Sequence, residues 1–350
     1  MSELRINNIT DRAGSSGPII AGVSTVTSKS HMVMPSGPTE MRGGRGRAVF
    51  AGGSQQPSGS QWQNVMDKVE IATTGNATDF GDMDQGRYYN RAVSNSTRGV
   101  IAGGTGYITG SPLMTANMQY VVISSEGGTN DFGEMDTLRN GLVPASNDTR
   151  GLLASGYANP AAVRDTQILF ITIPTTGDST DFGSLSQAQD QGAGINSPTR
   201  GIFAGSNNPT KINLITFVTI STLGDATDFG NLTAAKGALP GASSSTRGLT
   251  FGGGDGSNFL NNIDLITIPT LGNATDFGDL LAINAESTAA SSQTRGLCAG
   301  GETPTGGGWT NVIQFVTIST AGNAQDFGDL TVARGNDLGG LSDSHGGIGD

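Results

Sequence analysis

Apolar residues recur along this chain in short runs separated by glycine, serine, threonine and asparagine, and the runs return at a nearly fixed interval. The clearest marker is the tripeptide Asp-Phe-Gly. Its phenylalanines are Phe80, Phe132, Phe182, Phe229, Phe277 and Phe327, at steps of 52, 50, 47, 48 and 50 residues. Nine residues before each stands an isoleucine: Ile71, Ile123, Ile173, Ile220, Ile268 and Ile318. Eleven before stands Val69, Val121, Ile171, Val218, Ile266 or Val316. Two positions apart along an extended chain share one face, and the residue between them is usually threonine, so this run predicts a strand. Eighteen residues after the first five phenylalanines comes an arginine: Arg98, Arg150, Arg200, Arg247 and Arg295. Each opens an apolar run of the kind "TRGLCAGG", and Arg47 opens the first, "RAVFAGG".

Each unit therefore predicts four short strands. These are a small-residue segment such as "GALPGASSS", the arginine-led run, a run such as "NVIQFVTIST", and the short "TDFGDL" segment. Turn residues separate them. A four-strand unit near 50 residues long predicts an all-β protein, a β-propeller with one unit per blade. The glycine pair, the following strand and the aromatic of the fourth strand resemble the kelch repeat over residues 47–350. The fourth strand carries Phe where kelch usually has Trp.

The first unit opens at its second strand, near Arg47. After Phe327 a further first-strand segment, "RGNDLGGLSDS", has no second strand to follow it. The two ends are complementary. Residues near 331–343 are expected to supply the inner strand of the blade begun by Arg47, giving six blades and no exposed pairing edge.

The tripeptide also occurs in protein kinases, where its aspartate holds magnesium. Here it stands six times at a fixed period, without a kinase catalytic loop or strand lysine, so it predicts a structural element. Phe80 and its equivalents are expected to fill the space between blades, and the glycine to turn the chain. Asp79, Asp131, Asp181, Asp228, Asp276 and Asp326 are expected to cap the turn or to pair with the repeated arginines and fix register. Calcium at these aspartates is a weaker alternative, since the segment lacks the dense acids of a calcium loop. No metal or cofactor is expected.

Composition narrows the function. The chain has 350 residues, 55 of them glycine, and a net charge of -11, which disfavours a nucleic-acid partner. It has one cysteine, Cys298, in the apolar run "GLCAGG", expected as a small buried residue. No secretory signal and no membrane-spanning run are expected. The two histidines, His31 and His345, lie outside the blade loops, which leaves little material for imidazole chemistry. A non-enzymatic protein is the expectation.

Variation concentrates between the second and third strands: "SQQPSGSQWQN", "TGYITGSPLMTAN", "YANPAAVRDTQ", "NNPTKIN", "DGSNFLNN" and "ETPTGGGWTN". Trp62, Phe259 and Trp309 share one register there, eighteen residues before the phenylalanine, and Tyr107 and Tyr157 lie in the same loops. Aromatic rings among amides suit sugar rings, so these five are candidate ligand contacts. The alternative is that they pack the loops onto the blades.

Residues 1–46 lie outside the repeats and are too short for a core. They predict an extended arm that docks on another chain. The order "INNITDRAGSSGP", "GVSTVTSKSHMVMPSGPTEMRGGRGR" and then the repeats resembles virion structural proteins of tailed phages, particularly marine and cyanobacterial ones. The resemblance implies a virion protein made in the host cytoplasm, a tail-fibre or baseplate component or a capsid decoration present in multiple copies. Its arm anchors to other virion proteins, and its propeller displays loops for a host-surface glycan or a neighbour. The alternatives are a free lectin-like or scaffold propeller, and a glycan-cleaving enzyme using loop carboxylates.

Overall fold

The computed structural model describes residues 46–55, 61–108, 111–304 and 308–348. The expected docking arm lies outside these residues, apart from Gly46. Every regular element among the described residues is a β-strand. Six four-stranded antiparallel sheets dominate.

The first sheet runs Gly339–Ser342, Arg47–Ala51, Val65–Glu70, Thr78–Asp82 in order of pairing. The second holds Arg91–Ser94, Arg98–Ala102, Asn117–Val122 and Asn130–Glu134. The third holds Val143–Ser146, Arg150–Ala154, Gln167–Thr172 and Thr180–Ser184. Ala193–Asn196, Arg200–Ser206, Ile212–Thr219 and Thr227–Lys236 make the fourth. Gly241–Ser243, Arg247–Phe251, Asn262–Thr267 and Thr275–Asp279 make the fifth. Thr288–Ser291, Arg295–Ala299, Val312–Thr317 and Gln325–Asp329 make the sixth. The first sheet thus joins both ends of the described chain, with Ala48 opposite Ser342 and Ala51 opposite Gly339.

Apolar side chains hold each sheet to the next. Phe80 packs with Met66 of its own sheet and with Ile101, Val121 and Ile123 of the second. Phe327 of the sixth sheet packs with Val69 and Ile71 of the first. Each such ring is almost fully buried, which stabilises the joint by about 2–3 kcal/mol. The ring reaches the joint because its residue is the extra one of a β-bulge. Met66 faces Gly81 and Asp67 faces Asp79, which leaves Phe80 without a cross-strand partner.

The glycine after the phenylalanine is not in a turn. It sits within the fourth strand with φ between +141° and +149°, where an added Cβ would lie 2.3–2.5 Å from a carbonyl oxygen of the next sheet's hairpin. That hairpin's own glycine donates its N–H to the phenylalanine carbonyl, at 2.7–2.9 Å in all six cases. Glycine is needed for both the backbone conformation and the close approach.

The arginines do not meet the aspartates. Nη1 of Arg47, Arg98, Arg150, Arg200, Arg247 and Arg295 donates to the carbonyl of Ile123, Ile173, Ile220, Ile268, Ile318 and Ile71, respectively, at 2.7–3.2 Å. Every one of these bonds crosses to the following sheet, and the last runs from the sixth to the first. Four guanidinium groups also lie over an aromatic ring of their own sheet: Arg98 on Tyr120, Arg150 on Phe170, Arg200 on Phe217 and Arg295 on Phe315, at 4.3–4.9 Å. The aspartates are exposed. Asp79 accepts the Gly81 N–H at 3.2 Å, and Asp131 and Asp181 accept the side-chain amides of Asn117 and Gln167. A surface carboxylate keeps its hydration this way, whereas a buried ion pair would have lost it.

The first strands pack on one another around a cavity of about 60 Å³. Their last residues are linked in succession. Ser94 N–H donates to Ser146 Oγ, Ser146 N–H to Asn196 Oδ1, Asn196 N–H to Ser243 Oγ, and Ser243 N–H to Ser291 Oγ. Ser342 then bridges back, with Oγ donating to the Ser291 carbonyl and its N–H to Ser94 Oγ. Residues 343–348 lie across this end. His345 is buried, with Nε2 2.8 Å from the Ser94 carbonyl, while Gly346 N–H donates to the Ser243 carbonyl.

Candidate functional site

In every sheet the start of the first strand pairs with the end of the second, as Arg91 does with Ala102. Antiparallel pairing therefore brings two segments to the same end: the link into the first strand and the variable loop between strands two and three. The backbone joins the six links. Nine residues after each phenylalanine stand Tyr89, Gly141, Gln191, Ala238, Glu286 and Asn336, all left-handed with φ from 54° to 64°. Tyr89 N–H donates to the Asn336 carbonyl, Gly141 N–H to Tyr89, and Gln191 N–H to Gly141. Leu239 N–H continues to Gln191, Glu286 N–H to Ala238, and Asp337 N–H to Glu286. Five of the six left-handed residues carry a side chain at a cost of about 1 kcal/mol or more each.

Titratable groups on these residues, beside them and in the loops facing them set the electrostatics of this end. Asp337 is fully buried, with Oδ2 2.9 Å from Arg91 Nη2, and burial raises its pKa despite the arginine. Burial likewise raises the phenol of Tyr89, helped by the charges of Glu286 and Asp337. Glu286 is pushed up to about 8, first by burial and then by Asp337 and Glu302. Asp190 is raised by burial and held by Arg164 at 2.6 Å. Burial lowers Lys211.

The candidate aromatics do not converge. Trp62 stacks on Tyr88, with ring centroids 5.5 Å apart and planes 22° apart. Trp309 lies over Gly335, where an added Cβ would come within 2.1 Å of the indole, and its buried Nε1–H finds no acceptor among the described residues. Each tryptophan thus covers the residue eight after its own phenylalanine. Tyr157 lies beneath the Arg164 guanidinium, 5.1 Å from ring centroid to Cζ. The side chain of Tyr107 lies outside the described residues. Phe259 borders a cavity of ligand size, about 460 Å³, between the loops of the fourth, fifth and sixth sheets.

Two residues of that register carry a charge in place of a ring, so a pattern of aromatics does not reveal them. Counting back eighteen from Phe182 and Phe229 reaches Arg164 and Lys211, which stand where Trp62, Phe259 and Trp309 stand in the first, fifth and sixth units and Met114 in the second. The loop end therefore has an aromatic side, from the fifth sheet through the sixth to the first, and a cationic side at the third and fourth. A second set is hidden in the sequence because its residue type varies. Seven residues after each phenylalanine come Arg87, Arg139, Gln189, Lys236, Asn284 and Arg334, all buried. Arg334 Nη2 donates to Asp67 Oδ2 at 2.9 Å, and Lys236 Nζ lies 3.3 Å from Asp264 Oδ2. Each of these two pairs joins the end of one sheet to the third strand of the next.

Cys298 is buried and pushed up to about 12 by burial, which leaves the thiol protonated. Among the described residues no group of three or more His, Cys, Asp or Glu side chains is placed to hold a metal ion. Among the described residues no helix is long and apolar enough to cross a membrane. No protein-family model and no curated protein matches the chain.

Proposed function

We propose that residues 47–350 form a six-bladed, kelch-like β-propeller that acts as a non-enzymatic binding module of a tailed-phage virion, anchored through residues 1–46. The six sheets are its blades, and the strand Gly339–Ser342 closes them. The bonds and apolar clusters that run from each sheet to the next, and from the sixth to the first, support this arrangement. One observation carries the binding reading. The joints between sheets repeat six times with the same chemistry, while the loops at one end differ in length, charge and aromaticity. A scaffold that holds variable loops on fixed strands is a common arrangement for recognition.

The virion assignment rests on the resemblance of the N-terminal order and the repeats to phage structural proteins. Many copies on one particle turn weak contacts to a host surface or a neighbouring protein into avidity. Hydrolysis of a glycan is disfavoured, since two carboxyl groups must flank the scissile bond and the 460 Å³ cavity is lined by one, Glu286.

Mass spectrometry of purified virions tests the assignment. The full chain is expected in the particles, and a chain lacking residues 1–46 is expected to be absent from them while still folding. A full chain absent from particles overturns the virion reading. Staining of host cells by the labelled full chain tests the loop end separately. Exchange of the Gly254–Leu260 loop for the shorter loop of the fourth unit is expected to alter it.

A further inference from the structure

Several charges at the loop end are paired, and Lys211 and Glu286, which line one cavity, are exceptions. Arg91 has Asp337, Arg139 has Asp165 at 2.7 Å, and Arg164 has Asp190. Lys211 differs. Its Nζ donates to the carbonyl oxygen of Asn207 at 3.0 Å and to the side-chain oxygen of the same residue, and no carboxylate among the described residues lies within ion-pair distance. Glu286 is the other exception. Its carboxyl group makes no hydrogen bond and no ion pair among the described residues. Both residues line the cavity of about 460 Å³ that Phe259 borders, with Asn207, Ser257 and Asn258 supplying further polar groups. A half-buried ammonium without a counter-ion and a half-buried carboxyl without a donor are each poorly satisfied as they stand.

We propose that this cavity binds an acidic sugar, a hexuronate residue of a polysaccharide, with its carboxylate on Lys211, a ring hydroxyl on Glu286 and the apolar face of its ring on Phe259. This rests on the proposed role of the loop end in recognition. The three contacts match the three chemistries of a hexuronate: one negative charge, several hydroxyls and a C–H face. A neutral sugar would leave Lys211 without its counter-ion. A phosphate dianion offers no C–H face to Phe259. Glu286, pushed up to about 8 by burial, Asp337 and Glu302 and opposed by Arg91 and Lys211, is mostly protonated at neutral pH, so it donates to the sugar without repelling the carboxylate. Tyr89 faces the same group, and its raised phenol stays neutral over this range.

Isothermal titration of the full chain with trigalacturonate and with its methyl ester tests this. The acid is expected to bind about tenfold more tightly than the ester, and Lys211→Met is expected to make the two equal. Phe259→Ala is expected to weaken both about tenfold. Binding of the acid is expected to weaken as pH rises from 7 to 9, and Glu286→Gln is expected to flatten that slope, leaving the part due to Lys211, while preserving binding at pH 7. Thermal melts of each variant show that it is folded. Equal binding of acid and ester by the parent protein, a preference that survives Lys211→Met, or no binding of either overturns the proposal. If host cells are still stained in any of those cases, only the cavity assignment falls. If staining is also absent, the recognition role of the loop end falls with it.

Discussion

The fate of single residues follows from what each must share with the neighbouring sheet. The aspartate of each tripeptide is expected to cap the turn or to pair with an arginine; it does not meet the arginine, because the carbonyl of an isoleucine in the next sheet already satisfies that side chain. Spacing along the chain shows that two residues recur together. It does not show whether they belong to one joint or to two. His345 is a clearer case of position overriding type. Its Nε2 faces the Ser94 carbonyl and so carries the proton, while Nδ1 accepts the Gly347 N–H at 3.0 Å. A second proton on Nδ1 would oppose that N–H. Burial accordingly lowers this imidazole to about 4. The unfolded chain takes up the proton near pH 6.5 and the folded chain only near pH 4, so stability falls across that window and levels below it, by up to about 3 kcal/mol. Asp343, pushed up to about 6 chiefly by burial, acts in the opposite sense. The informative quantity is therefore the difference between the parent protein and His345→Asn in urea denaturation at pH 7 and pH 4.5. The parent is expected to lose more stability than the variant on acidification, and equal losses would refute the buried neutral imidazole.

At the scale of elements, the second, third and fourth strands were legible because their apolar periodicity is a burial signal. The first strands were legible only as small-residue segments. Their packing depends on size, and their ends on serine and asparagine oxygens that meet backbone N–H groups of adjacent sheets, as Ser243 meets Asn196. Hydrophobicity carries no trace of such contacts. The links into the first strands hid a further device, the buried residue seven after each phenylalanine, because its identity changes from Arg to Gln, Lys and Asn. Where it is charged, it fastens sheet to sheet. Lys236 ends the fourth strand of the fourth sheet, and Asp264 lies in the third strand of the fifth, both side chains fully buried. Lys236→Met is expected to cost about 3–5 kcal/mol, because it strands a buried carboxylate. The double variant Lys236→Met with Asp264→Asn is expected to recover a large part of that loss in chemical denaturation, since Thr233 and Asn262 still bond residue 264. A single variant no less stable than the double would show that the pair does not join the sheets.

For the whole molecule, the repeat made the number and order of the sheets legible, and the mismatch of the two ends pointed to the pairing of Gly339–Ser342 with Arg47–Ala51. The candidate site was legible only in part. The register eighteen before the phenylalanine located the loop end, but Lys211 and Glu286 meet across two different loops, and no local pattern connects them. Two truncations separate the roles of the chain's last segment. Removal of 339–350 takes away a paired strand, the Leu341 side chain and the Asp343 bonds to Gly46 and Arg47. Removal of 344–350 takes away the segment over the end of the first strands and leaves that pairing in place. The longer truncation is expected to abolish cooperative melting or lower Tm by more than 10 degrees, since several kcal/mol of contacts are lost. The shorter one is expected to lower Tm by a few degrees. Equal effects would assign all of the stabilisation to the covering segment.

The pairing of Gly339–Ser342 with Arg47–Ala51 also imposes an order on biosynthesis. Five sheets consist of strands that leave the ribosome one after another, so each can assemble as its own segment appears. The first sheet waits, because its missing strand is translated after every other described strand. Throughout that interval Arg47–Ala51 offers a row of unpaired backbone groups to any nascent neighbour on the same message. A chain cut short by premature termination keeps that edge permanently. The last described strand therefore completes the first sheet, and a chain without it leaves one edge of Arg47–Ala51 unpaired.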